Sequence, residues 1–286
     1  MKYEATVAAV NRVINQYSIP LTLRQIYYRL VAAGLIPNRR SAYNGLSSQL
    51  VTARERGEVD ENRINDRSRS IEDRAFNTPN DFLDAIIWTA ENKFFRRYWT
   101  TQEVYCEAWV EKDALSQVIA GAVEDLNTIV APSRGYSSFS YIRAAVRRFQ
   151  GNHRKAKRVV VLHLTDHDPS GLDMTRDLQT RFRAYSSRQV IQVKRIALTW
   201  DQVQEYNLIP NPTKITDSRA AGYMEKYGDE CWELDAIEPD ELVRLVQDAV
   251  EGEITDREAW EEAKQNEASE REELKDLFDE LKDKYQ

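Results

Sequence analysis

The chain has 286 residues, 42% of them hydrophobic and 30% charged, the balance of a globular protein of about two domains. No apolar run approaches the roughly 18 residues of a membrane helix, and the opening MKYEATVAAVNRV is broken by Asn11 and Arg12, unlike a signal peptide. The net charge of −7 is uneven: residues 251–286 carry 14 acidic and 6 basic side chains, a net −8, which leaves +1 for residues 1–250.

Apolar spacing predicts a first helix over 4–17, with Val7, Val10, Val13 and Ile14 on one stripe and Pro20 ending it. Thr22 reads as the N-cap of a second helix, Gln25 completes a capping box, and Gly34 suits the position just past its end. A third helix covers 41–56 and is closed by Gly57. Three short helices and the polar VDENRINDRSRS suggest a helix-turn-helix or winged-helix module. Its basic side chains include Arg24, Arg29, Arg39, Arg40, Arg54 and Arg56; a small bundle with a solvated arginine face is the equal alternative. Residues 79–98 read as a connecting helix striped by Phe82, Ile86 and Ile87.

The texture then changes. EVYCEAWV (103–110), NTIVAP (127–132), RVVVLHLTD (158–166) and VIQVKRIAL (190–198) read as strands, separated by helices over 113–124, 137–149 and 171–184. Such alternation predicts a parallel sheet covered on both faces. Two cysteines far apart (Cys106 and Cys231) and three histidines without an HExxH pattern argue against disulfides or structural zinc and fit a reducing cytoplasm. The tail from about 256 reads as an acidic docked or dimer-forming helix. RAAVRRFQGNHRKAKR (143–158) holds seven basic residues and no acid, either a phosphate-contacting patch or a solvated helix end.

In parallel sheets, chemistry collects at the carboxyl ends of strands. WVEKDAL puts Glu111 at the end of one strand; LTDHDPSG puts Asp166 at the tip of another, with Asp168 two residues on. If those strands are neighbours, the carboxylates converge and call for a hard cation, most naturally magnesium. Asp168 before Pro169 also suits a helix N-cap.

WVEKDAL and LTDHDPSGLDM resemble the two signatures of the Toprim domain, the magnesium-binding module of topoisomerases, primases and some nucleases. The resemblance is nearest to the topoisomerase VI A subunit and its relative, the meiotic double-strand-break protein. It implies Glu111 and Asp166 as magnesium ligands and Asp168 as an assisting or second-ion carboxylate. SRGYSS (133–138) is similar to a turn of that family, with Arg134 facing phosphate. The family also carries a winged helix before its Toprim domain, with a nucleophilic tyrosine in R-x-x-(Y/F)-Y. Arg24-Gln25-Ile26-Tyr27-Tyr28 fits it, and points to Tyr28.

Helical geometry agrees. Leu23, Ile26, Tyr27, Leu30 and Val31 form the apolar stripe; Tyr28 lies ~100° off it, on the face of Arg24 four residues earlier. The expected fold is α/β: a winged-helix-like domain over 1–100, a Toprim domain over 101–250, and an acidic helical tail over 251–286.

The resemblance implies a compact, Mini-A-like type IIB topoisomerase, of a kind found on viruses and mobile elements. It implies a homodimer on double-stranded DNA that cuts by tyrosine transesterification with magnesium, the tyrosine of one protomer working with the metal of the other. Full topoisomerase VI adds an ATPase B-type subunit; no Walker A motif occurs in this sequence. Two rival readings stand: a Toprim nuclease in which the tyrosines are structural, and a non-catalytic DNA-binding protein. WELDAI, with Glu233 and Asp235, also resembles compact relatives, without an assignable role.

Overall fold

The computed structural model describes residues 2–65, 75–152, 158–186, 189–213 and 215–283. Residues 153–157 of the basic stretch, His153 among them, and 66–74 of the polar stretch lie outside these.

The N-terminal unit packs α1 (Tyr3–Ile14), α2 (Leu23–Ala32) and α3 (Arg40–Glu55) around Val10, Val13, Ile14, Ile26, Leu30, Leu46 and Leu50. The capping box forms: Gln25 N donates to Thr22 Oγ1 at 3.1 Å, and Thr22 N donates to Gln25 Oε1 at 2.8 Å. The unit's only regular pairing among the described residues is parallel, β1 (Leu21–Thr22) on β2 (Ile64–Asn65). That is a brace between loops and not the hairpin of a wing.

The connecting helix α4 (Pro79–Lys93) is shorter than its predicted 79–98, because Phe94 turns extended at its C-cap. Its predicted stripe is only partly inward, since Phe82 is 48% exposed.

A parallel sheet follows. β3 (Val104–Val110) leads through α5 (Asp113–Ala122) to β4 (Ile129–Pro132); α6 (Phe139–Asn152) leads to β5 (Arg158–Leu164); α7 (Pro169–Tyr185) leads to β6 (Val190–Ala197). The strand order is β4-β3-β5-β6, and every pair is parallel. All seven residues of β3 are buried, so the sheet is covered on both faces. Glu107, itself fully buried, accepts from Tyr105 OH at 2.6 Å, Trp109 Nε1 at 3.0 Å and both arms of Arg148 at 2.7 Å. Arg148, read above within a basic patch, is therefore the half-buried partner of a fully buried carboxylate.

The remaining elements are α8 (Trp200–Glu205), β7 (Asn211–Pro212), α9 (Ala220–Tyr227), β8 (Glu230–Cys231), α10 (Pro239–Glu251) and α11 (Arg257–Asp283). The acidic α11 docks on α4 and on the turn at 98–101, where Trp260 is 1% exposed and its ring centroid lies 4.9 Å from that of Trp99. The two halves are not independent: Leu208, Ile209 and Ala236 join the N-terminal core. No helix among the described residues is long and apolar enough to cross a membrane.

Candidate functional site

From β3 the chain passes to β4 on one side, and from β5 to β6 on the other. The order therefore reverses between β3 and β5, where parallel sheets open a crevice at their carboxyl ends. Glu111 and Asp166 stand there. Glu111 N donates to Leu164 O at 2.9 Å, continuing the β3–β5 ladder, and Asp166 N donates to Glu111 Oε2 at 3.3 Å. Burial, and then the neighbouring Asp166, push the Glu111 carboxyl up to about 7; burial raises Asp166 as well.

Asp168 stands close enough for its charge to act on Glu111, but its carboxylate is engaged elsewhere. It caps α7, accepting from Gly171 N at 2.6 Å. Among the described residues no group of three or more His, Cys, Asp or Glu is placed to hold a metal ion. The predicted three-carboxylate cluster is thus a pair beside a helix cap. A pair still suits magnesium, which keeps water and phosphate oxygens around one or two carboxylates.

The loop after β5 is fixed from within. Arg195, inside β6, donates from Nη2 to Asp166 O at 2.7 Å and from Nη1 to Gly171 O at 3.0 Å and Thr165 Oγ1 at 2.6 Å. Its burial pulls the guanidinium down to about 10, against support from Asp166. A Cβ on Gly171 would lie 2.1 Å from Asp166 O, so the loop admits only glycine there.

Beside this loop, His163 is fully buried, with Nδ1 2.9 Å from Thr175 Oγ1. Burial, helped by Arg195, drops its pKa to about 3. The folded state therefore refuses a proton that the unfolded chain accepts near 6.5, and stability is lost as pH falls from there toward 3. Urea unfolding at pH 7 and pH 5 is expected to cost the wild type about 2 kcal/mol more than it costs His163→Leu. Equal losses in the two proteins contradict the assignment.

The N-terminal unit closes the crevice. Thr22, Leu23, Arg24 and Tyr43 face Lys112, Asp166, Glu233 and Asp235 across a cleft of ≈ 500 Å³. Arg24 pairs with Glu233 and lies 5.3 Å over the Tyr43 ring. Thr22 Oγ1 donates to Asp235 Oδ1 at 3.1 Å. Lys112 Nζ stands among Asp166, Glu233 and Asp235; burial opposes its charge, but the three carboxylates outweigh burial and keep it protonated.

Tyr27 is core, as expected: it is 5% exposed and its hydroxyl donates to Asn38 Oδ1 at 3.0 Å. Tyr28 departs from the prediction. It is 1% exposed, because the chain around 207–236 covers the face an isolated helix would offer to solvent. Asn211 Nδ2 donates to its hydroxyl at 2.6 Å. Burial, then Glu233, raise its pKa well above the ordinary tyrosine value.

The predicted DNA-contacting arginines divide. Arg39 and Arg40 are exposed at the start of α3. Arg134 is exposed in the loop after β4, with its side chain ion-paired to Asp113 at 3.0 Å and its N–H donating to Glu111 O at 3.1 Å. Arg29 turns inward instead, donating to Ala236 O at 2.6 Å and pairing with Glu238. It ties the two halves together and offers no free face to a groove.

Sequence reasoning missed Lys112, Arg195 and Asn211. The first two carried a signal: a lysine directly after the strand-end glutamate, and an arginine close to the end of a predicted strand. Asn211 carried none. A scan against protein-family models and a search of curated proteins returned no match.

Proposed function

We propose that the chain cleaves DNA strands by tyrosine transesterification at this cleft, as a protein with a helical N-terminal unit and a Toprim-like sheet similar to the topoisomerase VI A subunit. One observation carries the reading. Arg24, in the first turn of the helix of Tyr28, lines the same cleft as Asp166, whose N–H donates to Glu111, although the two motifs are remote in sequence; this reading joins tyrosine and metal site within one chain, where the resemblance pairs those of two protomers. Arg39, Arg40 and Arg134 lie exposed for flanking phosphates, and Arg24 would meet a phosphodiester in the cleft by leaving Glu233.

In the step itself, the Tyr28 oxygen bonds to phosphorus and the P–O3′ bond breaks. The phenolic proton is passed on to the leaving 3′ oxygen, and a 5′-phosphotyrosyl end remains. Magnesium held by Glu111 and Asp166 would offset charge on the phosphate as the bond breaks. For Tyr28 to reach DNA, the Asn211 contact must break and the 207–213 segment must move aside. The partners under this reading are double-stranded DNA, a second copy of the chain to cut the second strand, and an ATPase subunit if strand passage occurs.

The burial of Tyr28 specifically favours a second reading, a Toprim nuclease in which water attacks and the tyrosines are structural. Supercoiled plasmid incubated with magnesium and quenched in detergent separates the two. Transesterification predicts protein attached to 5′ ends, retained in Tyr27→Phe but lost in Tyr28→Phe and Glu111→Gln. Cleavage that persists in Tyr28→Phe but not in Glu111→Gln identifies the nuclease.

A further inference from the structure

The cleft already contains a cation. Lys112 Nζ lies 3.0 Å from Asp166 Oδ1, 3.0 Å from Glu233 Oε2 and 2.8 Å from Asp235 Oδ2. Two of these carboxylates reach onward to α2. Glu233 pairs with Arg24, and Asp235 accepts from Thr22, the cap of the helix that carries Tyr28. Asp166 Oδ1 also accepts from Leu234 N at 2.8 Å, so the ammonium and the backbone together occupy that oxygen. One side chain thus bridges the carboxylate that would bind a divalent ion and the two that hold the tyrosine helix in place.

A divalent ion on Asp166 would stand within a few ångströms of this ammonium. Like charges at such separations repel strongly, even at the effective dielectric of a protein. The lysine stem is long and flexible enough for its head to leave one carboxylate while keeping the other two. Glu111, by contrast, is not among the carboxylates that Lys112 holds.

We propose that Lys112 is the resident counter-ion of the cleft, holding Asp166 until an entering divalent cation displaces its ammonium. The inference rests on the metal part of the proposed function and is independent of whether Tyr28 is the nucleophile. It makes Lys112 a positioning residue: it keeps the two halves of the cleft in register when no metal is bound, and it sets how tightly metal binds.

The test is Mn²⁺ binding to the full chain without DNA, read from the free-ion spin-resonance signal. Wild type, Lys112→Met, Lys112→Gln and Lys112→Arg are compared, and the glutamine variant serves if the methionine variant does not fold. The neutral variants are expected to bind Mn²⁺ on the order of tenfold more tightly than wild type, since one repelling charge is gone. Lys112→Arg should match wild type, and Glu111→Gln added to either neutral variant should abolish the gain. Equal or weaker binding by the neutral variants overturns the proposal, because Lys112 would then assist the metal. Tighter binding without any covalent DNA adduct upholds Lys112 and defeats the transesterification reading. Absence of Mn²⁺ binding in all four proteins defeats both the proposal and the metal.

Discussion

Arg195→Met is expected to lower the unfolding free energy by about 3 kcal/mol or more. The guanidinium is buried and serves several acceptors at once: Asp166 O at 2.7 Å, Leu198 O at 2.8 Å, Gly171 O at 3.0 Å and Thr165 Oγ1 at 2.6 Å. Each buried acceptor left without a donor costs roughly 1–3 kcal/mol, whereas relief of the buried charge returns part of that. Arg195→Lys should do little better, because a point ammonium cannot reproduce a planar fork spread over these directions. Urea unfolding measures both. A loss below about 1 kcal/mol in Arg195→Met would mean that the loop carrying Asp166 is held by something else.

Arg148→Met should be as costly for a different reason. Glu107 is fully buried and receives both arms of Arg148 at 2.7 Å. Removing the guanidinium strands a carboxylate in the core with only Tyr105 and Trp109 as donors. Breaking such a pair from one side typically costs about 3–5 kcal/mol. Adding Glu107→Gln removes the stranded charge, so the double variant is expected to recover much of the loss. A double variant no more stable than Arg148→Met contradicts the ion-pair account.

What the sequence disclosed, and what it withheld, follows from range. The Thr22–Gln25 capping box forms as read because both partners lie within one turn of the chain. The strand β5 appeared within two residues of its bounds because a strand buried on both faces needs a near-continuous apolar run. The pairing of Glu111 with Asp166 was legible as a condition: it required β3 and β5 to be neighbours, and they are. Asp168 was legible in both of its possible roles, and its carboxylate caps α7.

Tyr28 was misjudged because helical periodicity sees only one helix. The stripe correctly put Tyr27 inside, but the cover over Tyr28 comes from residues around 207–236, supplied by the other half of the molecule. Arg29 turned inward for the same reason, since its partners are Ala236 and Glu238. The helix α10 was also not predicted, although Leu242, Val246 and Val250 follow a four-residue spacing and are buried.

The most direct measurement concerns the Gln25–Arg29 peptide, which trypsin would release with both tyrosines on it. Detergent-trapped adduct, digested with nuclease and then trypsin, is fragmented in the mass spectrometer. Transesterification at this cleft requires the nucleotide remnant on Tyr28. A remnant on Tyr27, on a tyrosine outside α2, or on no residue while DNA is nonetheless cut, contradicts it.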